Sequence, residues 1–193
     1  MIVPDAIGKN QQKIEGMQLA SVVAMCVFAM LFGGFFLALV LTRDTQTIWP
    51  PPSFRLVSIL KPLLATLAII LSSVTLNFAA KLESKKLLGV TMFLGILFLI
   101  IQFLYWQELN HLGFNVETGV FASFLHALTW VHVAHIVLGL FFLFLYYMGL
   151  NSLVSLSKDS RVVVKARLGF YSTFWHFLTI VWFILLIGLF APL

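Results

Sequence analysis

Five stretches of the chain, at about 17–42, 63–80, 87–109, 120–150 and 170–191, carry almost no charge and are each at least 18 residues long. An α-helix rises 1.5 Å per residue, so about 20 apolar residues cross a hydrocarbon core of about 30 Å. Hydrocarbon offers no water to backbone N–H and C=O groups, and a spanning segment satisfies them by becoming a helix. The composition agrees, with 61% hydrophobic and only 10% charged residues. The pattern predicts an all-α fold: a polytopic membrane bundle of five transmembrane helices in one domain, 1–193, with residues 1–16 as a cytoplasmic tail.

The first run has 26 residues, longer than the core of a cleavable signal, and no small-residue cleavage site follows it, so it is expected to be retained. Cys26 is the lone cysteine, and a single thiol excludes an intrachain disulfide.

Basic residues around the spans give an orientation. Lys9, Lys13, Lys81, Lys85, Lys86, Lys158, Arg161, Lys165 and Arg167 make nine on one side, and Arg43, Arg55 and Lys61 make three on the other. The expectation is an N-terminus inside and a C-terminus outside. The net charge of +5 then reports topology and attraction to anionic inner-leaflet lipid. No basic patch with readout residues accompanies it, so nucleic acid is not an expected partner.

Between the first two spans, Trp49-Pro50-Pro51-Pro52 favours an extended segment, with Trp49 suited to the headgroup zone. Lys61 can snorkel, and Pro62 is tolerated in a first helical turn. An odd number of spans, with no proline inside any of them, does not suit an inverted-repeat transporter with broken helices.

Ionisable groups inside a bilayer are costly, so each is a functional candidate. Leu128, His132, His135 and Gly139 share one helical face, and Gly139 allows a neighbouring backbone to come close. His126 lies about one and a half turns nearer the outer surface. On the fifth span Trp175, His176, Thr179 and Trp182 form a second polar and aromatic stripe.

Neutral imidazole is the usual ligand of b-type haem and of copper. Two axial ligands must meet at one depth, however. The span boundaries put His176 about six residues, roughly 9 Å, from the inner edge, and His135 about fourteen residues, roughly 21 Å. A carboxylate-bridged metal pair lacks its glutamates, because only Glu108 among seven acidic residues approaches a span interior. The expectation is therefore no catalytic, cofactor or metal site, with the histidines hydrogen-bonding across helices to groups such as Asn77, Thr75 or Gln102. Gly33-Gly34 reads as a close-packing notch. Ser72, Ser73 and Thr75 can bond back to their own helix. No phosphate-cradling motif occurs, and a serine nucleophile would lack an acid at its depth.

Taken in order, Gly33-Gly34, Trp49-Pro50-Pro51-Pro52, Leu71-Ser72-Ser73-Val74-Thr75-Leu76, Gln102 to Trp106, Thr129-Trp130-Val131-His132-Val133-Ala134-His135-Ile136, and Phe174-Trp175-His176-Phe177 with Val181-Trp182 resemble subunit III of the haem-copper oxidases. The resemblance runs over nearly the whole chain. It is to the short five-helix bacterial form, which lacks two N-terminal helices of the longer version.

The resemblance implies a non-catalytic accessory subunit of a respiratory oxidase in the bacterial inner membrane. Haems and copper would sit in the neighbouring subunit I, and none in this chain. It further implies a V-shaped pair of helical bundles with phospholipid in the cleft, support of proton uptake, oxygen access and turnover stability, and contacts with other oxidase subunits or a larger respiratory supercomplex. By position, Gly33, Gly34, Asn77, Gln102, Trp106, His132, His135, Gly139, Trp175, His176 and Trp182 fall on family landmarks.

Several family positions differ here. Val27 and Phe28 replace a usual serine and glutamate, Tyr105 stands where Glu often precedes the tryptophan, Asn77 replaces a common histidine and Thr179 a common aspartate. A buried carboxyl has a raised pKa and can hold protons. Its loss points to packing, lipid retention or assembly instead. The alternatives are a small membrane b-type cytochrome and a small transporter.

Overall fold

Each predicted span is a helix: α1 (Pro4–Asp44), α2 (Leu60–Leu82), α3 (Lys85–His111), α4 (Val120–Gly149) and α5 (Lys158–Phe190), with a 3-10 turn at Val116–Thr118 before α4. The computed structural model describes residues 4–52, 54, 59–149 and 158–190, without the side chains of 4–10, 13 and 158–163. All five helices are long and apolar enough to cross a membrane, and no strand occurs among the described residues. Arg55, the side chains of Lys9, Lys13, Lys158 and Arg161, and the C-terminal end used in the orientation count lie outside what is described.

Two helices outrun their apolar stretches. α1 continues through the expected polar tail to Pro4, and α5 takes in Lys158 to Gly169 of the expected connection. Lys, Gln, Glu, Arg and Ala are good helix formers in water, so an apolar run marks where hydrocarbon begins and not where the helix begins.

α2 and α3 form a hairpin whose seam is written in their spacing. The buried residues of α3 are Leu88, Thr91, Gly95, Phe98, Gln102, Tyr105 and Leu109, in alternating steps of three and four. On α2 the sequence Pro62, Ala65, Ile69, Ser72, Leu76, Ala79 repeats the alternation. This is the spacing of a coiled-coil seam. Small residues at Ala65, Ser72, Ala79 and Gly95 let the helices approach closely. Two residues join them. Glu83 takes the left-handed conformation (φ 49°), with its N–H on the Ala79 carbonyl, and the Ser84 hydroxyl accepts the Leu87 N–H at 3.5 Å.

α5 is the central helix, packed against α1, α2 and α4. Half of its most apolar window is buried, against 11% for α1, which lies at the periphery on α5 and touches α4 only lightly. Two side chains hold the end of α5. Trp49 Nε1 donates to the Leu189 carbonyl at 3.1 Å and Arg43 Nη1 to the Gly188 carbonyl at 3.4 Å. The last carbonyls of a helix have no partner within it. Trp49 is thus an internal cap, 3% exposed against Phe121, and not the headgroup anchor its composition suggested.

Candidate functional site

The polar and aromatic stripe of α5 meets α2 in a continuous antiparallel register. Trp182 Nε1 donates to Thr66 Oγ1 at 2.9 Å, and Trp175 Nε1 to Ser72 Oγ at 3.1 Å. His176 Nδ1 pairs with Ser73 Oγ, and Lys165 with Glu83 at the far end. In each pair the two residue numbers sum to between 247 and 249, so one straight alignment carries all four. Ser72 also donates to the Thr91 carbonyl of α3 at 3.0 Å, which links α5, α2 and α3 through one hydroxyl.

Trp175 is fully buried and fits between two glycines. A Cβ on Gly95 would lie 2.9 Å from the indole ring and one on Gly139 3.0 Å from it. The ring therefore occupies the space that side chains on α3 and α4 would fill. Seven residues along α5, Trp182 stacks on His132 with centroids 5.3 Å apart, and Phe98 meets both rings in T-shaped contacts. One face of α5 thus delivers two indoles that touch three other helices.

His132 and His135 both touch Phe32 of α1 and otherwise differ in their surroundings. His132 is completely buried among Trp182, Phe98 and Phe32, and neither of its nitrogens has a hydrogen-bond partner among the described residues. His135 is half-buried against Phe28 and Phe32 of α1, and its Nδ1 bonds the Val131 carbonyl of its own helix at 2.7 Å. Neither makes the cross-helix hydrogen bond that was expected. Asn77 is exposed on α2, Thr75 pairs with Thr91 at 2.9 Å, and Gln102 is buried with both amide atoms unpartnered among the described residues. Among the described residues, aromatic packing takes the place of cross-helix hydrogen bonding around these imidazoles.

The depth expectation changes as well. His132 opposite Trp182 and Gly139 opposite Trp175 set the α4 and α5 register, which leaves His135 and His176 about three residues, roughly 4.5 Å, apart in depth. The sequence spacing suggested roughly 12 Å, because it ended α5 at its apolar boundary. Direction separates these two side chains. His135 faces α1, whereas His176 faces α2, between Ser73 and Ser172.

The remaining landmarks divide clearly. Trp106 Nε1 donates to Thr129 Oγ1 at 3.0 Å, tying α3 to α4. Gly33 and Gly34 face outward, and a Cβ on either would meet nothing within 4 Å. The expected packing notch is therefore unused within this chain, and the close approach of α1 to α5 occurs at Gly188, where a Cβ would meet Phe36 at 2.6 Å. Of the three hydroxyls expected to bond back, only Thr75 does so, to the Ser72 carbonyl. Thr66, Gly95 and Trp49 carry contacts that no motif announced. Gly95 was legible only as a member of the three-and-four spacing of α3, and Thr66 falls outside the spacing of α2.

No group of three or more His, Cys, Asp or Glu side chains gathers among the described residues. The arrangement ties helices together through indole–hydroxyl bonds. The model of a known family, cytochrome c oxidase subunit III, matches residues 9–191.

The chain belongs to the cytochrome c oxidase subunit III family.

It is similar to the probable cytochrome c oxidase subunit 3 of Rickettsia conorii, 30% identical over 188 residues, covering 88% of this chain and 64% of that protein. The cytochrome c oxidase subunit 3 of Synechocystis is 28% identical over 164 residues, with 81% and 67% covered. That of Mus musculus is 26% identical over 193 residues, with 91% and 69% covered. The chain spans less than two thirds of the length of the Rickettsia conorii protein.

Proposed function

We propose that this chain is the non-catalytic subunit III of a respiratory terminal oxidase in a bacterial plasma membrane, N-terminus inside and C-terminus outside. Its role is to support assembly, lipid retention and turnover stability of subunit I, which holds the haems and copper. The observation that carries this reading is the central α5 seam. Trp175 and Trp182 use their donors on Ser72 and Thr66, and His132 sits in a sealed aromatic cage. Such an interior holds helices in place. The loss of carboxyls at Phe28 and Thr179 removes the groups that would buffer protons at those positions.

The test is affinity purification of the tagged chain in mild detergent, with partner identification and an absorbance spectrum. The expected result is a haem-bearing partner, with the chain colourless when expressed alone. A Soret band from the isolated chain that disappears in His132→Ala or His135→Ala would overturn it in favour of a b-type cytochrome.

A further inference from the structure

The outward surface of the α2–α5 seam carries polar side chains at a depth where lipid offers hydrocarbon. Ser73 and His176 lie within two residues of the midpoints of their spans, Leu60–Leu82 and Val164–Phe190. Asn77 and Ser172 follow about one turn nearer the Lys81 end, roughly 6 to 9 Å from the midpoint and inside a hydrocarbon half-thickness of about 15 Å. Ser73, Ser172 and His176 are half-buried, while Asn77 and Thr173 are exposed. The stripe then runs into Lys81, Lys165 and Arg167 at the helix ends.

The rest of the surface is different. Around α2 the exposed residues at similar depth are Leu67, Leu71, Val74 and Phe78, and on α5 beyond His176 they are Ile180, Phe183, Ile184 and Ile187. Both nitrogens of His176 are engaged, by Ser73 and by Ser172 at 3.3 Å, and Thr173 bonds back to the Gly169 carbonyl. Asn77 makes no hydrogen bond to any described residue. A carboxamide has two donors and an acceptor, and hydrocarbon can satisfy none of them.

We infer that this stripe, centred on Asn77 and the Ser73–His176–Ser172 cluster, is a docking face for a transmembrane helix of another polypeptide that presents a hydrogen-bonding side chain to Asn77. Polar complementarity selects this occupant. An acyl chain cannot bond the amide, and a headgroup cannot reach it without drawing water into the core. The α1 face around Gly33 and Gly34 is also uncovered, but it is apolar and gives no such discrimination. The identity of the helix as part of the catalytic subunit rests on the function proposed above; the existence of the docking face does not.

The test places the photoreactive amino acid p-benzoylphenylalanine at Asn77 in intact cell membranes and, as a reference, at Leu71, about 120° round the same helix. At Asn77 the expected product is a covalent adduct with another polypeptide, and at Leu71 an adduct with lipid. Lipid adducts alone at Asn77 would overturn the inference. If they formed while a haem-bearing partner still co-purified, the oxidase reading would survive without this face. An adduct with a protein unrelated to an oxidase would keep the face and refute the oxidase reading. As a second measure, Asn77→Leu should speed partner loss in detergent roughly threefold, the change that matches an average intramembrane hydrogen bond of about 0.6 kcal/mol, and Asn77→Gln should restore part of it.

Discussion

Trp182 and Thr66 meet through an indole N–H donating to a hydroxyl oxygen at 2.9 Å, and that hydroxyl in turn donates to the Pro62 carbonyl of its own helix at 2.7 Å. The chain of bonds is directional, so the two ends should respond unequally to mutation. Thr66→Val leaves a buried indole N–H with no acceptor, at a cost of about 1–3 kcal/mol. Trp182→Phe leaves Thr66 still bonded to Pro62, and its cost comes from lost volume. A double-mutant cycle read by denaturant unfolding in detergent should give a coupling of about 0.6–1.7 kcal/mol; additive effects would remove the bond from the account.

Glycines on the two sides of the bundle should behave oppositely. Gly95→Ala and Gly139→Ala drive a methyl to 2.9 and 3.0 Å from the Trp175 ring, and overpacking of this kind costs about 1–3 kcal/mol. Gly33→Ala and Gly34→Ala meet nothing in this chain, and each should gain up to about 1 kcal/mol in helix propensity. Thermal unfolding of the purified chain distinguishes the two pairs by sign.

The buried imidazole gives a third expectation. Because neither nitrogen of His132 has a partner among the described residues, His132→Leu keeps most of the packing and removes an unsatisfied polar group, so stability should be unchanged or raised. His132→Ala opens a cavity among Phe98, Trp182 and Phe32 and should cost about 2–4 kcal/mol. Equal losses in the two variants would mean that the nitrogens, and not the ring, are what matter.

Capping of α5 can be tested at its far end. Trp49→Phe preserves the ring against Phe121 but withdraws the donor from the Leu189 carbonyl, at a cost of about 1 kcal/mol. Amide hydrogen exchange in the last turn of α5 should accelerate while the centre of the helix, around Trp175, keeps its protection.

Much of the architecture was readable from residues alone. Five apolar runs of 18 residues or more pointed to five helices, since they are too long for transmembrane strands and a helix satisfies its backbone within one segment. The α2 and α3 seam was also present in the order of small and apolar residues at steps of three and four, though it has meaning only when both strings are laid against each other. Helix ends were less legible. Lys158 to Arg167 reads as a polar connection by hydropathy, yet it is helical from Lys158, because propensity and hydropathy respond to different physics.

His132 and His135 show where one-dimensional reading stops. Periodicity placed them on one face, and it could not say that a face about 100° wide meets α3 and α5 on one edge and α1 on the other. The same holds for Gly33-Gly34 and Gly139, which look equivalent as small residues. Only Gly139 receives a ring.

By itself the order of residues determined a helical membrane protein with five spans, since burial of backbone in hydrocarbon depends on run length and polarity, both local properties. The pairing of Trp175 with Ser72, the cage around His132 and the uncovered amide of Asn77 were decided only by tertiary structure. Rotation and register between helices are set by how ridges, glycine gaps and donors from four separate segments fit at once, and no single segment contains that information.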